Sequence, residues 1–369
     1  MKTMNKNALC IPRPGMSFCV IQDGYVDALR HLGWNIYVCD PKTKLGCSRI
    51  IEEHNISLIM THSRYGIRQL PIETINANNV TVLIDVLPLN RDGLFIDSPY
   101  DIAHDDEPSV ISRIKSRVIH TKIEKHLWSK YMGLWCSQNL LHVPVAGNLV
   151  KATPPTCDIL TDVAMVANFY HRQNIMLNLI APLFKRLQLL KYSYQSFGDD
   201  IWNKAGLPSN GRLCNTDLLS HIYATAKVCP NVHTEGQVRL QAYINDRSFM
   251  IPLCGGIQIC DNPLALRYLG KSCLVATSIT DFMTKTIATI EDQSCRHELV
   301  KNNVKHVADN HTYFSRLVDL FQNAGLSDYA DEIDAEGQRM AIRHCWQIDS
   351  ILSAKERGIT YEQETVVGA

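Results

Sequence analysis

The chain has 369 residues, of which 46% are hydrophobic, and its 37 basic residues balance its 37 acidic ones. That length suits two domains with a core in each, and neutrality (pI about 7.2) excludes a general binder of polyanions or membrane surfaces. The thirteen cysteines form no C-x-x-C, and Cys10, Cys19, Cys39, Cys229 and Cys260 sit in apolar runs, so free thiols in a reducing cytosol are expected. No apolar run reaches the ~20 residues of a membrane span and the N-terminus lacks a signal-type core, so a cytoplasmic location is expected. "NALCIP" reads as a strand, "GMSFCVIQDGYVDALRHLGW" as a helix closing on Gly33, "NIYVCD" as a strand and "KLGCSRIIEEHNI" as a helix. "SLIMTHS" and "VTVLIDVLPL" are further strands. Their continuous hydrophobicity predicts strands covered on both faces, hence a parallel sheet in a βαβ arrangement.

A second series follows the linker-like "LVKATPPTCD" of residues 149–158. "DVAMVANF", "YSYQSFG", "VCPNVHT", "GIQICD" and "SCLVATS" read as strands. "RQNIMLNLIAPLFKRLQLL", "TDLLSHIYATAK", "EGQVRLQAYINDRSF", "PLALRYLG" and "TDFMTKTIATIED" read as helices between and after them, and "CRHELVKNNVKHVADNHTYFSRLVDLFQNAG" as one long helix. The expected organisation is an α/β domain over 1–150 and a second over 155–330, both doubly wound. The segment after Leu326 reads as helical with a break near Gly337. In such sheets ligands collect outside the carboxyl ends of the strands, and two such domains face to face predict a cleft between them as the site.

Several segments offer phosphate-binding chemistry. "VHTEGQV" places His233, Thr234, Gly236 and Gln237 at a strand-to-helix junction, where unpaired N–H groups and the helix dipole favour an anion. Thr234 is equally suited to capping that helix. "MVANFYHRQN" carries Asn168 and then Arg172, a partner for a diphosphate. In "NDRSFMIPLCGGIQICDNP" the pair Gly255–Gly256 is open to two readings: a left-handed helix cap leading into a strand, or a close approach of ligand to backbone.

The ordered blocks "VANFYHR", "LLSHIYATAKVCPNVH", "NDRSFMIPLCGGIQICDNP" and "HTYFSRLVDLF" resemble the spore-maturation CgeB-like glycosyltransferases over residues 160–322. The resemblance implies a GT-B architecture: two facing Rossmann-like doubly wound domains with a cleft between them, the second holding a nucleotide-sugar. It makes Arg247 and the Gly255–Gly256 turn part of the donor pocket. It also implies that a helix over about 338–360 returns to pack on the first domain. Two positions depart from the family pattern. Met250 stands where the family has an acid that meets a ribose hydroxyl, and Ala167 replaces a glycine in the phosphate turn.

The expected activity is transfer of a hexosyl or pentosyl group from a nucleotide-sugar to an acceptor hydroxyl, without a metal or other cofactor, since no D-x-D and no zinc spacing occurs. A base is needed on the acceptor. The acidic cluster "YDIAHDDEPSV" makes His104, Asp105 and Asp106 the candidates, with Pro14, Gly15 and Asp23 as acceptor-side residues. The basic run of residues 112–130 hints at a polyanionic acceptor such as DNA bearing hydroxymethylated bases, and a surface glycan is the other acceptor considered. A non-catalytic nucleotide-sugar-binding protein and a nucleotide-sugar epimerase are the alternative readings.

Overall fold

A computed structural model describes residues 5–12, 16–39, 44–63, 66–86, 107–154, 158–169, 172–199, 201–213, 217–270 and 273–356. The chain divides into two compact units. Unit 1 comprises residues 1–150, 234–246 and 311–337; unit 2 comprises 151–233, 247–310 and 338–369. The division at Val150 and Lys151 falls in the segment read as a linker. Two later segments differ from the expected division. Residues 234–246 and 311–337, assigned by sequence largely to the second domain, group with unit 1.

Unit 1 contains a six-stranded sheet of β1 (Asn7–Cys10), β2 (Asn35–Val38), β3 (Leu58–His62), β4 (Thr81–Asp85), β5 (Arg117–Thr121) and β6 (Leu141–His142) in the order β2-β1-β3-β4-β5-β6. Every pairing is parallel. β3 is buried at all five positions and β4 at four of its five, as strands covered on both faces must be. Leu9, Ile59, Val82, Ile84 and Ile119 belong to one apolar cluster with Ile51 and Ile75 from the flanking helices. β5 lies inside the basic run that the sequence suggested as a polyanion-binding face, and that run is largely engaged elsewhere. Arg113 pairs with Glu73, Lys122 is buried over the Tyr243 ring, and Lys125 and Lys130 lie over the rings of Trp128 and Tyr131.

The helix Met16–His31 ends as expected, with Gly33 left-handed at φ 80°. It packs against the helix Tyr313–Asn323, which the sequence merged with the preceding helix. Thr312 separates the two: its side chain accepts from Ser315 N–H and caps the new helix. The "HTYFSR" block therefore works as a brace of unit 1. Arg316 is buried and donates to the carbonyls of Pro144 (2.9 Å) and Val145 (3.4 Å) and to His311 Nδ1 (2.9 Å). Trp34 meets Phe321 and Tyr329 edge-on, at 5.8 and 6.1 Å between centroids, geometry worth about 0.5–1.5 kcal/mol per pair beyond area burial.

Unit 2 contains a five-stranded sheet of β7 (Thr161–Val166), β8 (Tyr194–Phe197), β9 (Ala226–Asn231), β10 (Gln258–Cys260) and β11 (Leu274–Val275) in the order β11-β10-β9-β7-β8. All its pairings are parallel too. Counted from its first strand this is 2-1-3-4-5, the same doubly wound order with which unit 1 begins. The segment read as one helix from Glu235 is two, Glu235–Leu240 and Arg247–Leu253, because Gln241 turns left-handed at φ 47°.

The final helix runs unbroken from Ser327 to Glu356. Gly337 does not interrupt it. A Cβ there would lie 2.8 Å from Phe314 Cβ, so this glycine serves close packing in unit 1. Beyond it the helix joins unit 2, where Ile348 and Leu352 pack with Val300, Val304 and Ile257 and His344 Nε2 lies 2.6 Å from the Leu253 carbonyl. The segment expected to return to the first domain thus completes the core of the second; residues 311–337 are the ones that return.

Candidate active site

In unit 2 the strand order reverses between β7 and β9, the place where open α/β sheets bind ligands. Two arginines converge on the backbone there. Arg247 donates through NH2 to the Val232 carbonyl at 2.8 Å and through NH1 to the Val166 carbonyl. Arg172, at the start of the helical segment after β7, donates through Nε to the same Val232 carbonyl at 3.3 Å and through NH1 to Asn168 O at 3.3 Å. A guanidinium carries five N–H groups in a fixed plane. Two of Arg247's are held by backbone carbonyls, which fixes the direction of the others.

Beneath them lies a buried polar network. His233 Nδ1 is 2.7 Å from Asp261 Oδ1, and Asp261 also accepts from the His233 backbone N–H at 3.1 Å. Ser248 Oγ is 3.4 Å from His233 Nε2 and accepts from Asn231 Nδ2 at 3.0 Å, while Asn231 also donates to Gln258 at 2.8 Å. Burial holds the His233 pKa below the usual histidine range. Asp261 acts against that shift, and the charges of Arg247 and Arg172 reinforce it. The imidazole is neutral, with Nδ1–H donating to Asp261. His233 is buried, with Nδ1 on Asp261 and Nε2 beside Ser248.

His233, Cys260 and Asp261 are the one group among the described residues whose metal-type ligand atoms all lie within 4.8 Å of one another. The 2.7 Å His–Asp separation is a hydrogen bond. It is shorter than the ~3.3 Å between two ligands held at ~2.0–2.1 Å on a tetrahedral ion, so this group does not fit a metal as it stands.

The other sequence candidates fare differently. Thr234 and Gln237 form a reciprocal capping box: Thr234 Oγ1 accepts from Gln237 N–H at 3.3 Å, and Gln237 Oε1 accepts from Thr234 N–H at 2.9 Å. With Gly236 they belong to a six-residue helix of unit 1, and the N–H groups expected to meet phosphate are in part already satisfied. Gly255 is left-handed at φ 75°, with its N–H on Pro252 O (2.9 Å) and the Gly256 N–H on Ile251 O (3.0 Å), a Schellman closure of the helix. A Cβ on Gly256 would lie 2.9 Å from Tyr223 O. The double glycine is thus required by the fold itself. Pro14, Gly15, His104, Asp105 and Asp106 lie outside the described residues.

Unit 1 holds a pocket that the sequence reading missed. It is lined by Ile21, Gln22 and Tyr25 of the Met16–His31 helix, Met60, Thr61 and His62 of β3, Leu83 and Asp85 of β4, His120 of β5, and Leu320. Asp23 of the same helix is half-buried and does not line it. His62, Asp85 and His120 are register partners at the carboxyl ends of three adjacent parallel strands, so their side chains share one face. Burial lowers the His120 pKa, against the pull of Asp85 and with the help of Lys122. Burial and Asp85 together raise the Tyr25 pKa, which keeps its hydroxyl protonated.

Residues 172–322 match the family model described as glycosyl transferase-like. No curated protein matches the chain. Among solved structures the chain is similar to T4 phage BGT in complex with its UDP-glucose substrate, with 10% identity, 89% of this chain and 98% of that one covered, and a TM-score of 0.53. It is similar to the DNA modifying enzyme β-glucosyltransferase, solved with and without uridine diphosphoglucose (9%, 89% and 99%, 0.52). It is also similar to a putative UDP-N-acetylglucosamine 2-epimerase from Listeria monocytogenes (8%, 88% and 97%, 0.50). With two parallel Rossmann-like α/β units and these counterparts spanning nearly the whole chain, the fold is GT-B.

Proposed function

We propose that the protein is a glycosyltransferase that takes its sugar from a nucleotide-sugar, of the CgeB-like kind its sequence blocks resemble. The observation that carries this reading is the convergence of Arg172 and Arg247 on the Val232 carbonyl at the strand-order reversal of unit 2. Two fixed guanidiniums there suit a diphosphate, whose charge grows as the sugar leaves. The match of residues 172–322 to a glycosyl transferase-like model, beginning at Arg172 itself, supports the same reading. In this account the arginines carry the diphosphate charge in place of a metal, and Arg172, Arg247 and the exposed Asn168 form the donor site.

The acceptor is an alcohol, from a carbohydrate or from a hydroxymethylated DNA base. Similarity to a DNA modifying enzyme favours testing the latter, although the basic run of unit 1 is too engaged internally to argue for it. The test is calorimetry with UDP, GDP, ADP, CDP and TDP, followed by mass spectrometry of acceptors incubated with the matching nucleotide-glucose. Binding of one diphosphate, at least tenfold weakened by Arg172→Ala, is expected. No binding of any at millimolar concentration would reject the reading. Conversion of a UDP-sugar to its epimer without acceptor would instead favour an epimerase.

A further inference from the structure

Two buried thiols of unit 1 are in contact. Cys39 follows the last residue of β2 and is 1% exposed, whereas its neighbour Val38 is 58% exposed; the alternation of an extended chain turns the cysteine inward. Its backbone N–H donates to Cys10 O at 3.0 Å, which anchors it to β1. Cys47 lies in the first turns of the helix Lys44–Glu53, four residues before Ile51, so the two share the helix face that packs on the sheet. Both cysteines belong to one apolar cluster with Leu9, Ile11 and Ile51. Their Sγ atoms are 2.6 Å apart. Two thiolates held at ~2.3 Å on one tetrahedral zinc ion would be ~3.8 Å apart, so the contact is too close for a shared ion. It is nearer to the ~2.05 Å of a sulfur–sulfur bond.

We propose that Cys39 and Cys47 are a redox modification site: in the presence of a peroxide they form a disulfide that ties the end of β2 to the start of the helix Lys44–Glu53. The step balances with hydrogen peroxide as the oxidant. One thiol gives up its proton and, as thiolate, attacks a peroxide oxygen. The O–O bond breaks, the leaving hydroxide takes a proton and departs as water, and the sulfur becomes a sulfenic acid. The second thiolate attacks that sulfur, the S–O bond breaks, and a second water departs. The two thiols lose two electrons and two protons, and one peroxide is reduced to two waters. Burial, and then the neighbouring Cys39 thiol, push the Cys47 pKa up, so thiolate is scarce and the first attack is slow. Contact makes the second attack fast, and the sulfenic acid is captured before another peroxide reaches it. The sulfurs need to close by only ~0.5 Å. β2 is a four-residue strand at the edge of its sheet, paired on one side. The bond closes the chain over residues 39–47 and braces that edge against local opening. In a reducing compartment the thiols are the resting form, and a dithiol restores them.

The test uses the full chain, reduced with dithiothreitol, freed of it, and exposed to hydrogen peroxide. Remaining thiols are alkylated with iodoacetamide after unfolding, and the protein is cut with trypsin. Cleavage after Arg30, Lys42, Lys44 and Arg49 puts the two cysteines on separate peptides, 31–42 and 45–49. The expected product is these two peptides joined, two hydrogens lighter than their sum, and parted again by dithiothreitol. Three results overturn the inference: Cys39 and Cys47 both still alkylated once peroxide has oxidised the exposed Cys136, a link from Cys39 to any other cysteine, or a sulfinic acid at either position. Hydrogen exchange on the same samples reads the brace. The Cys39 amide and the amides of residues 47–53 should exchange about tenfold more slowly in the oxidised protein, and unchanged exchange overturns the brace. Cys47→Ala should abolish both the joined peptide and the slowing. A slowing that persists in that variant overturns the brace as well, and if the variant does not fold, the joined peptide in the parent decides alone.

Discussion

The ring of Tyr313 lies over the Cα of Gly24, so close that no Cβ fits between the two helices that carry them. A glycine in mid-helix costs up to about 1 kcal/mol in propensity, and here it admits an aromatic ring that is 2% exposed. Gly24→Ala should regain that propensity yet lower stability overall by about 1–3 kcal/mol, the usual cost of overfilling a packed contact. Urea denaturation checks it. A variant as stable as the parent would mean that Tyr313 moves aside freely.

Arg247 makes two carbonyl contacts with one planar group. Lysine keeps the charge but lacks the fork. Arg247→Lys should therefore weaken nucleoside diphosphate binding by about tenfold or more, the equivalent of ~1.4 kcal/mol, while the protein still folds. Calorimetry alongside circular dichroism separates the two effects. Unchanged affinity would show that only the charge matters.

Stability should fall in mild acid. His120, His233 and His344 are all held below the usual histidine range, in each case chiefly by burial. Below about pH 6.5 the unfolded chain binds protons that these folded residues refuse, so stability rises with pH there. Their contribution is complete above that pH and is lost as the pH drops towards the folded values. Melting temperatures at pH 7.5 and 5.5 should differ, and the difference should shrink in His344→Gln, whose amide still reaches the Leu253 carbonyl. Equal melting at both pH values would contradict the assignment.

Ending the chain near residue 330 should damage both units. Unit 1 loses buried Ile333 and the partners Glu332 and Glu336 of Lys6 and His31. Unit 2 loses His344, Ile348 and Leu352. The expected result is a broad melt at lower temperature. A truncated chain with the parent's cooperative transition would show that the Ser327–Glu356 helix adds little.

The strand runs were legible wherever apolar residues came unbroken, as in "SLIMTHS" or "DVAMVANF". β5 was not, because Arg117 and Lys122 flank its Val118 and Ile119 and the segment read as a charged surface. Missing that strand concealed His120, and with it the row that also contains His62 and Asp85. The clue lay in the sequence: three apolar runs each carry a histidine or aspartate at or next to the end, where a parallel sheet exposes its carboxyl edge. The two missed helix breaks, at Gln241 and Thr312, are set by a left-handed residue and a side-chain cap, which apolar periodicity does not record. Arg172 and Arg247, picked from separate blocks of sequence, meet at one backbone carbonyl, which spacing alone does not reveal. The His233–Asp261 pair was not legible, because sequence spacing cannot tell that a residue 28 positions on would meet the ring.

The chain changes unit at residues 150/151, 233/234, 246/247, 310/311 and 337/338. Neither half of the molecule is therefore a contiguous stretch of gene. One protease nick cannot liberate an intact unit, and a single crossover with a related sequence would splice foreign segments into both cores at once. Inheritance of this architecture is consequently close to all or nothing: neither unit can be exchanged for a foreign one by a single crossover.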